Sequence, residues 1–66
     1  MTNVANAFTF RERLFIAQAC GEELSNSKDY TDDELAAIRE AVIENAPAES
    51  ELFESVIDKF YDEFGL

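Results

Sequence analysis

Residues 30–47 read YTDDELAAIREAVIENAP, and the local signals in that stretch specify a helix with a defined beginning and end. Thr31 and Glu34 have the spacing of a capping box, in which each side chain satisfies the other residue's backbone N–H. Tyr30 and Leu35 flank that box at the two positions of a hydrophobic staple. Asp32, Asp33 and Glu34 crowd the first turn, where the positive end of the helix dipole favours carboxylates. Leu35, Ile38, Val42 and Ala46 then recur at helical spacing and define a buried face, with Ala41 and Ile43 beside them. Pro47 stops the helix, and Asn45 suits its C-terminal cap. The reading is a helix over 31–45.

The same grammar extends in both directions. Upstream, Thr9 and Glu12 repeat the capping box and open a helix over 10–24. Phe10, Leu14, Ala17, Gly21 and Leu24 fall at heptad spacing and are expected to form its core stripe, widened by Phe15, Ile16 and Cys20. Gly21 is the weak point, marking either a close helix crossing or an early end. Residues 1–8 carry no periodic signal and are expected to be a flexible segment. Residues 25–30 read as a polar turn. Downstream, Ser50 is expected to cap a third helix over 50–64, with Pro47 as the alternative opening further upstream, and Gly65 is suited to terminate it. Leu52, Phe53, Val56, Ile57, Phe60, Tyr61 and Phe64 form a double apolar stripe along that helix. The predicted fold is all-α: one three-helix domain over 9–66, with no strand.

A chain of 66 residues is one domain, and it buries only about 60% of its unfolded surface. Domains this small often rely on a disulfide, a metal or a second chain. Cys20 is the sole cysteine, so an internal disulfide is excluded, and with no histidine a zinc site is not expected. Association remains. The helix 3 stripe is wider than two short neighbours are expected to cover, so Phe53, Phe60, Tyr61 and Phe64 are the candidate seam of a homodimer or larger self-assembly.

Charge is the most informative feature. Fifteen acidic residues face five basic ones, for a net charge of −10. Residues 1–21 carry a net +1 and residues 22–66 a net −11, so the acidity belongs to the last two helices and the turn before them. Sequences shaped only for solubility intersperse both signs. On helix 3, Glu51, Glu54, Asp58 and Asp62 advance by three, four and four residues, which stacks them along one face. That row is about 16 Å long, a length over which one strand of B-DNA places about five phosphates. Lys59 is the single cation on the helix available to relieve it. With Asp32, Asp33, Glu40 and Glu44 of helix 2, these are the candidate partner-binding residues, forming an acidic helix 2/helix 3 face for a basic surface. Replacement of Glu12, on the near-neutral first helix, is expected to do little to partner binding. The bland alternative is a solvated outer face of an amphipathic helix.

Other functions find little support. The commonest general base is missing with histidine, Cys20 lies among apolar neighbours, and no cofactor is expected. The 26–34 turn lacks the glycine and ligand spacing of an EF-hand. A helix-turn-helix DNA reader needs Arg, Lys, Asn or Gln at base edges, but helix 3 sets Glu51, Glu54, Asp58, Asp62 and Glu63 against one lysine. The Asp-Ser-Leu tripeptide of acyl carrier proteins is absent. DNA, RNA and anionic lipid would be repelled. With no basic n-region, no long apolar run and an unpaired cysteine, a cytoplasmic location is expected. In size and charge the chain is similar to the small acidic proteins with which phages disable host DNA-binding machinery, a likeness of composition that covers no motif. The expected function is therefore a non-enzymatic inhibitor or regulator that docks on the basic nucleic-acid-binding surface of another protein. The alternative is a homo-oligomeric helical adaptor whose acidity provides solubility and specificity.

Overall fold

The computed structural model describes residues 2–4, 7–25 and 28–66. The element order is β1 (Thr2–Asn3), α1 (Phe10–Cys20), β2 (Asp29–Tyr30), α2 (Asp32–Asn45) and α3 (Glu51–Phe64). The domain is all-α in substance. Its radius of gyration, 10.5 Å, is close to the roughly 11 Å of a folded chain of this length.

The helix starts follow the sequence reading. Thr9 and Thr31 both cap through their side chains, and Glu12 and Glu34 return the bond to the cap N–H. The Ser50 hydroxyl accepts the Leu52 N–H at 3.2 Å. Tyr30 and Leu35, the staple pair, are both buried. The Glu34 carboxyl is held below its ordinary range, chiefly by the Thr31 N–H, and beyond that by the Thr31 hydroxyl and Lys28.

Three expectations are corrected. First, α1 ends at Cys20 rather than at residue 24. Gly21 adopts φ +85°, a left-handed conformation that costs glycine little, and its N–H closes on the Ala17 carbonyl at 2.8 Å. The α2 side chain of Asn45 donates to the Ala19 carbonyl at 3.2 Å, satisfying another acceptor at that helix end. Second, a strand pair is present: Thr2 and Asn3 run antiparallel to Tyr30 and Asp29. Two-residue strands carry no periodicity to read. Third, the core does not begin at Thr9. Val4 is fully buried and Phe8 is 5% exposed, so the 1–8 segment contributes to the interior; Met1, Ala5 and Asn6 of that segment lie outside the described residues.

The expected face of α1 is met in part: of its stripe, Leu24 is buried and Cys20 packs against the core. Phe15 and Ile16 are buried and Ala19 packs against the core, but Phe10 and Leu14 are 60% and 40% exposed. The inward row is Phe8, Glu12, Phe15, Ile16 and Ala19, with spacings of four, three, one and three residues. The heptad row Phe10, Leu14, Ala17 and Gly21 lies on the opposite side, about 180° away at roughly 100° per residue. A carboxylate at the centre of the buried row hides it from a search for apolar repeats.

Candidate binding surfaces

Glu12 is 2% exposed, the one buried charged residue among those described. Its Oε1 accepts the Thr9 N–H at 2.8 Å and the Lys59 ammonium at 2.5 Å, and its Oε2 accepts the Ser55 hydroxyl at 2.5 Å. Burial alone pushes this carboxyl up. The bonds from Lys59, Ser55 and Thr9, together with the Lys59 charge, outweigh burial and bring it from 4.5 down to about 2. The capping box of α1 is thus also the polar tie between α1 and α3. Nothing local in the sequence announces partners 43 and 47 residues away.

This tie changes the electrostatics of α3. Lys59 does not relieve the acidic row, because it is turned to Glu12. Glu51, Glu54, Asp58 and Asp62 are all exposed, and none forms an ion pair among the described residues. Their row lies about 180° from buried Val56 and Phe60.

On α2, Asp33, Glu40 and Glu44 are exposed and lie roughly opposite buried Leu35 and Val42, while exposed Asp32 sits toward the flank. Glu40 pairs with Arg39 at 2.9 Å. The acidic residues of α2 and α3 therefore form two ridges, each on the outer back of its own helix.

The aromatic seam is largely used up inside the domain. Phe60 is fully buried, with its ring 5.2 Å from Phe8 and 6.0 Å from Phe64; Phe8 and Phe64 are 6.1 Å apart. Phe53 and Phe64 are half-buried against the core. Phe8 of the N-terminal segment packs on Phe60, which removes Phe60 from the candidate interface. Tyr61, 70% exposed, is the member left on the surface.

Among the described residues no helix is long and apolar enough to cross a membrane, and no group of three or more His, Cys, Asp or Glu side chains is placed to hold a metal ion. No protein-family model, curated protein or solved structure matches the chain.

Proposed function

We propose that this chain is a non-enzymatic, cytoplasmic inhibitor or regulator that docks the acidic back of α3 on the basic, nucleic-acid-binding surface of another protein, in partial mimicry of a nucleic-acid strand. The observation that supports this reading is the row Glu51, Glu54, Asp58 and Asp62: exposed, stacked along about 16 Å of helix, and unrelieved by Lys59, which serves Glu12. Like charges at this spacing cost a helix a few tenths of a kcal/mol per pair. A row kept at that cost, with the helix's only cation directed elsewhere, has the form of a ligand for a basic groove. The α2 ridge of Asp33, Glu40 and Glu44 acts at longer range, adding to the field that steers a basic partner toward the molecule.

The test is capture from a cell lysate by the immobilised chain at low and high salt, beside a variant carrying Glu51→Gln, Glu54→Gln, Asp58→Asn and Asp62→Asn. The expected result is a basic protein retained by the wild type at low salt, released at high salt and not retained by the variant. Equal retention by both chains across the salt series would leave the row as a solvated face.

A further inference from the structure

The row Phe10, Leu14, Ala17 and Gly21 is an apolar sequence pattern that the core does not absorb. Phe10 is 60% and Leu14 40% exposed, and Arg13 lies over the Phe10 ring at 5.7 Å. We propose that this face is a homodimerisation surface. On it a second copy of the chain docks its own α1 antiparallel, with Phe10 against the partner's Gly21 and Leu14 against the partner's Ala17.

Three observations point to a second copy in that orientation. The first is shape. A two-fold axis across α1 that sets position 14 against position 17 also sets position 10 against position 21, in one register. Each pairing places a large side chain against a small one, and an isologous interface must be self-complementary in this way. A Cβ built on Gly21 meets nothing within 4 Å, so the space beside it is open to a neighbour's ring.

The second observation is the location of charge. Two molecules of net charge −10 repel. The sole carboxylate within α1, Glu12, is buried and tied to Lys59. The outer side of α1 is therefore where two copies meet with the least acid set against acid. The ridges on α2 and α3 are far less favourable for such a contact.

The third observation is polarity along α1. Arg11 and Arg13 lie in its first half, and exposed Glu22 and Glu23 follow directly after its end. Antiparallel docking brings the basic half of one copy beside the acidic end of the other, and it opposes the two helix dipoles. Arg13 already reaches Glu23 of its own chain at 3.9 Å, so the attraction across the axis falls mainly to Arg11 and Glu22. Parallel docking sets like beside like. The interface is small, since α1 is 11 residues, or about 16 Å, long. Contact areas at this end of the range give weak, concentration-dependent dimers. The acidic row lies on the outer side of a different helix, so the dimer does not rest on the function proposed above.

Sedimentation equilibrium of the full chain over a wide concentration range, repeated at low and high salt, tests the proposal. The expected result is a monomer–dimer equilibrium that strengthens with salt, because salt screens the repulsion between two acidic copies. That is the opposite of the salt response of an acidic ligand on a basic partner, so the two ideas fail separately. Leu14→Ala and Ala17→Leu should each weaken the dimer, by roughly tenfold for loss of a central apolar anchor. The double variant should recover the wild-type constant to within about twofold, because the large–small pairing is restored with its roles exchanged. Tyr61→Ala should leave the equilibrium unchanged, and dichroism verifies that each variant stays helical. A monomer at every concentration and salt would overturn the proposal. So would a dimer indifferent to Leu14→Ala, a double variant no better than the single ones, or a dimer lost with Tyr61→Ala.

Discussion

Glu12→Ala should destabilise this domain more than any surface substitution. The change removes a carboxylate with a side chain 3% exposed, leaves the Lys59 ammonium, 32% exposed, without its partner, and strips the Ser55 hydroxyl and Thr9 N–H of their acceptor. Breaking a buried ion pair from one side costs about 3–5 kcal/mol. The partial exposure of Lys59 brings that toward about 2–3 kcal/mol, since water screens and resolvates the lysine. A domain of this size has roughly 3–10 kcal/mol in total, so Glu12→Ala places it near the edge of folding. Urea denaturation followed by far-ultraviolet dichroism measures the loss, and the cycle with Lys59→Ala isolates the pair. The same group sets an acid limit. Because the folded carboxyl lies near 2 and the ordinary value is 4.5, its contribution is complete above pH 4.5 and disappears as the pH falls toward 2. The difference corresponds to about 3 kcal/mol at most. A loss under about 0.5 kcal/mol at neutral pH, as for an ordinary surface position, would refute the tie between α1 and α3.

Further outcomes follow from the same packing. Phe8→Ala should cost about 3–5 kcal/mol, as removal of a buried ring does, and a thermal melt showing a change of only a few tenths would remove the N-terminal segment from the core. Gly21→Ala should cost about 1 kcal/mol or more through its positive φ alone, and an unchanged urea midpoint would contradict the left-handed end of α1. Replacing all four carboxylates of the α3 row by their amides should leave the fold intact and slightly more stable, by a few tenths of a kcal/mol per relieved pair; a clear loss of stability would show the row to be structural.

The parts of the fold legible in the sequence are those governed by contacts within a turn or two. Thr9, Thr31 and Ser50 cap helices from the residues that follow them, and Pro47 and Gly65 end helices through their own backbones. The acidic row on α3 is legible for the same reason, since its spacing along one helix decides its face. Sequence and structure part where a distant contact overrides a local pattern. The heptad row of α1 is more regular than the row containing Glu12, yet Phe8, Phe15 and Ile16 pack the Glu12 side on the core, where Lys59 and Ser55 satisfy the carboxylate. Phe8 carries no local signal because its partners, Phe60 and Phe64, lie at the other end of the chain. One hint is present: Glu12 has Phe8, Phe15, Ile16 and Ala19 at spacings of −4, +3, +4 and +7, an apolar surround that an exposed carboxylate seldom has.

Competition tests the acidic row most directly. A basic protein captured through α3 is loaded with a fluorescent nucleic acid, and the anisotropy of the label is followed as the chain is added at several salt concentrations. If the row occupies the nucleic-acid site, the wild type releases the label, the effect weakens as salt rises, and the variant with Glu51→Gln, Glu54→Gln, Asp58→Asn and Asp62→Asn releases little. A ternary complex in which chain and nucleic acid are bound together, or equal release by wild type and variant, would contradict it.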